Sequence, residues 1–387
     1  MLGKSFGYTA PSDKLNIAGI GVGGMGRRNL ANMNTENIVA LCDVDWHYAD
    51  KTFKDYPKAK RFKDWRVMFD EMGKSIDAIM VATPDHTHAG VTAHAITLGK
   101  HCYTQKPLTH SVYESRLLTK LAKKYKVATQ MGNQGNSFDW CRQIAEWIQS
   151  GVIGDVYEVH CWTDRPIWPQ GLMKPNDTPK CPKTLDWDLW IGPAQKRPYN
   201  PVYTPWNWRG WWDFGTGAFG DMACHVLDPV YQSLKLGYPD RVQGRSTQIN
   251  TESAPQSEVV EFRFPARDNL PKVALPEVKV YWYASSASGL ITGWLDMMRD
   301  GLGGCIFVGT KDTLICDCGG FNSRLLSGRV PQVTPYLRRI PNATGYFDGF
   351  HEQTGSVLVK NRRRTVWKEL PTSLIPDHST RWCYWVY

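Results

Sequence analysis

The chain has 387 residues, 42% apolar and 21% charged, an ordinary globular balance at a length that suggests two domains rather than one hydrophobic core. No apolar run approaches the roughly 18 residues needed to span a bilayer, and the opening MLGKSFGYTAPSDKL is polar and loop-like rather than a secretory leader. The net charge of +9 is not a nucleic-acid stripe: residues 354–387 carry six Lys/Arg against two Asp/Glu, and the remaining +5 is spread along the chain.

Apolar residues from Leu15 to Ile20 predict a buried parallel strand running into a glycine-rich turn. Arg27 to Met33 is helix-like, and Ile38 to Asp45 is a second apolar run that ends in acids. Between them lies G-x-G-x-x-G at Gly21, Gly23 and Gly26. The first glycine permits the sharp turn, the second lets a pyrophosphate approach the backbone, and the third lets helix pack on strand. The helix N-terminus then offers unpaired N–H groups to phosphate. Gly21, Gly23, Gly24, Met25 and Gly26 are therefore candidate cofactor contacts. Asp43, closing the second strand, is placed to accept the ribose hydroxyls and to repel a 2′-phosphate, which favours NAD over NADP.

Ile76 to Ala82 is the next buried strand, followed by Thr83-Pro84-Asp85-His86-Thr87-His88 and a helix from Ala89 to Leu98. A further strand opens at Gly99–Tyr103 and ends at Thr104-Gln105-Lys106-Pro107. A helix (Val112 to Lys124) and a strand (Val127 to Met131) complete an α/β alternation that predicts a Rossmann-type, doubly wound parallel sheet. After Gly151-Val152-Ile153-Gly154 the texture changes. Val156–Trp162, Val259–Phe264, Val278–Tyr283 and Cys305–Gly309 are strand candidates without helices between them. They predict a C-terminal α+β domain with a large, mostly antiparallel open sheet, and a boundary near residue 150.

Two groups of residues have the makings of acid/base chemistry. Lys106, at a strand end before a proline, is either an ordinary surface lysine or a group aimed into a cleft, where a lowered pKa would let it exchange a proton with a hydroxyl. Asp221, His225 and Asp228 share one helical stripe, which suits either a proton relay or a satisfied structural histidine. Trp187, Trp190, Trp206, Trp208, Trp211 and Trp212 crowd the preceding segment. They suit stacking on sugar faces, with Arg165, Trp168 and Arg209 adding contacts, and equally suit a core or a subunit interface. The ten cysteines read as mostly free buried thiols, and the Cys316-x-Cys318 pair is too weak a pattern for a metal site.

Taken in order, G-I-G-V-G-G-M-G, the acid-ended second strand, A-T-P-x-x-x-H, G-K-H-x-x-x-x-K-P, S-G-x-I-G and D-x-x-x-H-x-x-D resemble the glucose–fructose oxidoreductase/inositol dehydrogenase (Gfo/Idh/MocA) family, over roughly residues 14 to 230 and more loosely at His351-Glu352. The resemblance implies that Lys106 is the catalytic lysine, that His225 is the acid/base partner, and that Asp221 binds substrate or orients the site. It places Thr83, Pro84, His88, Gln105 and Asn133 with the cofactor, NAD, and Arg165, Trp168, Trp208, Arg209 and Asp228 with the substrate. His86, His88 and His94 superficially suggest a zinc cluster; the resemblance accounts for His88 without metal, and none is expected. Where the family usually has Glu-Lys-Pro, this chain has Gln105-Lys106-Pro107. Losing that carboxylate makes Lys106 easier to deprotonate, a hypothesis that an unchanged pH profile in Gln105→Glu would refute.

The implied activity is NAD-dependent oxidoreduction of a sugar, cyclitol or glycoside. The alternatives are a redox-assisted glycosidase or lyase working through a keto-sugar, and a non-catalytic sugar or NAD sensor. The partner implied is a small sugar or polyol, with neither nucleic acid nor membrane, and the assembly a homodimer or homotetramer. The W-T-D-R-P-I-W-P-Q-G and W-N-W-R-G-W-W-D segments resemble a bacterial subgroup whose members often carry export signals. That makes the periplasm the expected location, with the cytoplasm as the alternative. After Glu352 the resemblance stops. Codon degeneracy allows the neighbouring frame of the tail to encode a helix-like string similar to the family's own C-terminal segment. A frameshift near Gln353 is the expectation, leaving 1–150, 151–353 and a non-native 354–387.

Overall fold

The structure, a computed structural model, describes residues 14–268, 270, 273–284, 303–337 and 339. His351, Glu352 and the 354–387 tail with its expected frameshift lie outside the described residues. The described chain divides into two compact units.

The first unit opens with β1 (Asn16–Ile20), α1 (Gly24–Ala31), β2 (Asn37–Cys42), α2 (Asp50–Asp55), β3 (Lys60–Phe62) and α3 (Trp65–Met72). It continues through β4 (Ala78–Val81), α4 (Asp85–Thr97), β5 (His101–Gln105), α5 (Val112–Tyr125) and β6 (Thr129–Gly132). The six strands are parallel, in the order β3-β2-β1-β4-β5-β6. All four residues of β4 and four of the five in β1 are buried, as expected of central strands of a parallel sheet whose both faces are covered. Leu15, Ile17, Leu30, Leu41, Met80 and Tyr103 form one of its core clusters. The strand order reverses between β1 and β4, and the crevice at such a switch point is where open α/β sheets bind ligands.

The chain leaves this unit after Gly132 rather than near residue 150. The reason is α6 (Asp139–Gln149), whose buried face of Ile144, Ala145 and Ile148 belongs with the second unit, which it enters ahead of β7 (Val156–Thr163). Residues 179–199 return to the first unit with α7 (Trp187–Ile191). They are pinned there by an Asp45–Leu185 bridge and by the Asp186 N–H donating to the Val44 carbonyl at 2.9 Å. The tryptophan-rich segment is thus split: Trp187 and Trp190 stack on each other in the first unit, while Trp206, Trp208, Trp211 and Trp212 belong to the second.

The second unit adds α8 (Gly217–Val226), α9 (Asp228–Leu234), β8 (Arg241–Ser246), β9 (Glu258–Phe264), β10 (Val278–Ala284), β11 (Gly303–Gly309), β12 (Thr313–Asp317) and β13 (Arg324–Leu325). Its seven-stranded sheet runs β13-β12-β11-β7-β10-β9-β8, antiparallel except for the β7–β10 pair. One face packs on the helices: Trp282 meets Phe219 of α8 edge-on, and Phe264 meets Tyr231 of α9. The other carries a second cluster of Trp162, Tyr283, Ile306 and Ile315. The nine cysteines among the described residues are thiols, seven of them buried. No helix among the described residues is long and apolar enough to cross a membrane.

Candidate functional site

The glycine loop sits at the C-terminal end of β1. Gly21 has φ +73°, a left-handed conformation that glycine adopts without penalty, and its N–H donates to the Cys42 carbonyl at 2.9 Å. Gly23 caps α1 without a side chain. A Cβ on Gly26 would lie 1.9 Å from the Gly21 carbonyl oxygen, so only glycine lets this helix come so close to the turn. Met25 is partly buried beside it. Asp43 holds the loop from the neighbouring strand. Its Oδ2 accepts the N–H of Val22 at 2.8 Å and of Gly23 at 3.2 Å, and its Oδ1 accepts the Asp45 N–H at 3.0 Å. Burial pushes the Asp43 carboxyl up to about 6, against the pull of those three N–H groups. Thr52, which no sequence motif singles out, donates its hydroxyl to the Val22 carbonyl at 2.6 Å and fixes the loop from α2.

At the ends of β4 and β5, His88 joins two turns. Its Nδ1 lies 2.8 Å from the Pro107 carbonyl and its Nε2 2.8 Å from the Thr83 carbonyl, so the turn after Lys106 is tied to Thr83-Pro84 through one buried ring. Burial holds this imidazole below its ordinary pKa, outweighing Asp85 and the two carbonyls. Pro84 caps α4 and Lys106 is partly buried. The Gln105 side chain is buried, and its Oε1 accepts the Lys106 N–H at 3.4 Å. His86 and His94 go elsewhere. His86 Nε2 lies 3.2 and 3.1 Å from the Trp190 and Ile191 carbonyls, and His94 packs between Trp65 and Phe69. No cluster of three or more metal-ligating side chains occurs among the described residues.

In the second unit, α8 presents Asp221 and His225, both buried. Each member of the acid–histidine–acid stripe has a partner outside the stripe among the described residues. His225 Nδ1 lies 2.9 Å from Asn133 Oδ1. Asp228, at the start of α9, receives both its bonds from the Asn136 amide, at 3.0 and 2.9 Å. Burial raises Asp228 to about 7 despite that amide and nearby Arg142. Asp221 accepts Arg209 Nε at 3.0 Å, and the guanidinium lies over the rings of Trp206 at 3.9 Å and Trp208 at 4.2 Å. Trp168 and Trp208 are buried, while Trp206 and Trp212 are open to solvent. Arg165 pairs with Asp164 at 2.7 Å. Neither Asn136, in the turn after β6, nor Thr52, in the short helix α2, is marked in the sequence, because single polar residues carry no sequence period.

Two family profiles match the chain in succession: an oxidoreductase family, NAD-binding Rossmann fold over residues 15–133, and an oxidoreductase family, C-terminal alpha/beta domain over residues 142–264. The chain belongs to the Gfo/Idh/MocA oxidoreductase family. It is 25% identical over 166 residues to levoglucosan dehydrogenase of Pseudarthrobacter phenanthrenivorans, covering 43% of this chain and 34% of the relative. It is 28% identical over 163 residues to glycosyl hydrolase family 109 protein 1 of Akkermansia muciniphila, covering 39% and 34%. The chain thus spans about a third of the length of these curated relatives. An oxidoreductase crystal structure from Thermotoga maritima superposes with a TM-score of 0.62 at 14% identity, covering 96% of this chain and 94% of that one, a likeness of fold.

The residues present fit the NAD that the Gfo/Idh/MocA fold implies. The cradle at Gly21, Gly23, Gly24 and Gly26 is one that Cβ atoms would fill or strain. Gln105 Nε2 in the first unit and Asn133 Nδ2 in the second are buried donors with no partner among the described residues.

Proposed function

We propose that this chain is an NAD-dependent dehydrogenase acting on a hydroxyl-bearing carbon of a sugar, cyclitol or glycoside. The observation that carries the reading is the glycine loop held by Asp43. Backbone N–H groups at the α1 N-terminus suit a pyrophosphate, and a carboxylate at the end of β2 suits ribose hydroxyls while repelling the 2′-phosphate of NADP. Bound NAD would supply the hydride acceptor at the Rossmann unit. Gly21, Gly23, Gly24, Met25 and Gly26 would hold its phosphates, and Thr83, Pro84, Gln105 and Asn133 its nicotinamide end, with His88 fixing the two turns beneath. Lys106 and His225 are the proton-exchanging groups, and Asp221, clamped by Arg209, binds substrate or orients the site. Trp206, half exposed and stacked on Arg209, offers an apolar shelf for a sugar ring near Trp168 and Trp208, with Arg165 a further substrate contact. Asp228, held by the Asn136 amide, is a further substrate-binding residue.

A second reading, favoured by the likeness to a protein named as a glycosyl hydrolase, is a redox-assisted glycosidase or lyase in which NAD is retained. The family resemblance further supports a periplasmic homodimer or homotetramer. In it, copies would pair through the sheet face where Val259, Tyr281 and Val308 are partly buried. The resemblance also supports the frameshift, which resequencing the gene near the Gln353 codon tests.

The deciding experiment is a panel of glycosides and polyols with the NAD-loaded protein, following NADH absorbance and leaving-group release together. NADH without release establishes the dehydrogenase; release without net NADH moves the protein to the second reading. Binding without turnover of any compound leaves a sensor.

A further inference from the structure

The bond between Asn133 and His225 constrains more than position. An amide carbonyl oxygen has no proton to give and only accepts, so the Nδ1 that meets Asn133 Oδ1 at 2.9 Å must carry the hydrogen. We infer that Asn133 is a positioning residue that locks His225 in the Nδ1–H tautomer, which makes Nε2 the basic nitrogen of the ring. This rests on the reading above only for what Nε2 does, not for the tautomer.

The surroundings make the lock firm. Both side chains are buried, so water competes little for either partner. Asn133 opens a turn whose other end is also tied down: Asn136 donates to both carboxylate oxygens of Asp228 on α9, and Arg142 Nη1 donates to the Asn136 and Phe138 carbonyls. His225, near the end of α8, stands three residues before that anchor at the start of α9. When a hydroxyl proton reaches Nε2, the ring becomes an imidazolium whose Nδ1–H still points at the carbonyl oxygen. The same bond therefore serves both protonation states.

The tautomer can be read without any substrate. Two-bond 1H–15N correlation spectra of the full chain labelled at histidine, with His225 signals identified by their loss in His225→Gln, should show a protonated Nδ1 and an unprotonated Nε2. The reverse pattern in the wild-type protein overturns the inference. In Asn133→Leu, which has similar bulk but no acceptor, His225 should move toward the Nε2–H form, with kcat at saturating NAD lowered about a hundredfold. Asn133→Asp, which keeps an acceptor oxygen, should restore the tautomer; Asn133→Asp giving the same spectrum as Asn133→Leu would also overturn it. A correct tautomer with no turnover on the panel would sink the dehydrogenase reading while leaving this one standing.

Discussion

At Gly26 an added methyl group would meet backbone, and at Gly23 it would meet a ring that can move. The Gly26 Cβ position is 1.9 Å from the Gly21 carbonyl oxygen, inside a turn held by the Gly26 N–H to Gly23 carbonyl bond, so nothing nearby can yield without opening the loop. The Gly23 Cβ position is 2.2 Å from Tyr48 Cδ1, and Tyr48 is 44% exposed. The two substitutions should therefore separate stability from binding. Gly26→Ala is expected to cost about 3 kcal/mol, the upper range for overpacking, and to abolish NAD binding with it. Gly23→Ala is expected to cost under about 1 kcal/mol, yet to weaken NAD at least about tenfold, because the new methyl lies where the pyrophosphate must approach. Thermal unfolding and calorimetric NAD titration on both variants check this. Wild-type NAD affinity in Gly23→Ala would remove the loop from the cofactor site.

Among the elements, α6 does two things that its sequence hides. Its apolar face explains why the second unit begins before it, and its Glu146 holds Tyr336, Leu337 and Arg339. Glu146 Oε1 accepts the N–H groups of Tyr336 and Leu337 at 2.8 and 2.7 Å, and the Arg339 guanidinium donates to both carboxylate oxygens at 2.9 and 2.6 Å. Burial pushes this carboxyl up, but the Arg339 bond and the two N–H groups outweigh it and leave the pKa below the ordinary glutamate value. Removing the acceptor strands two backbone donors and a cation together, whereas removing the cation leaves two bonds in place. Glu146→Ala should accordingly cost about 3 kcal/mol in urea unfolding and Arg339→Ala about half as much; equal losses would mean that the ion pair alone matters. The strands of the first sheet were legible where they are buried on both faces, as in β1 and β4, because a short continuous apolar run between turn residues suits a buried strand and little else. β3 (Lys-Arg-Phe) is short and polar, β8 (Arg-Val-Gln-Gly-Arg-Ser) is exposed along its whole length, and β13 has two residues, so none carries a period of two. In the site, the glycine loop could be read from local spacing, whereas the Asn133–His225 bond joins residues 92 apart through a turn with no pattern of its own.

For the whole molecule, the buried carboxyls set a direction of pH dependence opposite to that of its ion-paired ones. Asp43 at about 6, Asp228 at about 7 and Glu258 at about 7 are all raised by burial, so the folded chain binds more protons than the unfolded chain between about pH 4 and 7. Stability from these groups is fully present below the unfolded values near 4 and is lost as pH rises through 6 to 7. The lowered groups, among them Asp55 beside Arg27, Asp64 beside Arg66 and Glu146 beside Arg339, act the other way and lose their contribution as pH falls below about 4. The unfolding temperature of the cofactor-free protein should then peak near pH 5 and decline toward pH 8. Asp228 is the cleanest probe, being only 2% exposed and bonded to an amide that an asparagine can also engage. Asp228→Asn should flatten the decline between pH 5 and 8 and make the variant more stable than wild type at pH 8, by on the order of 2–3 kcal/mol. Parallel curves for the two proteins would mean that Asp228 is ionised in the folded state at little cost, with Arg142 and Asn136 together compensating its burial.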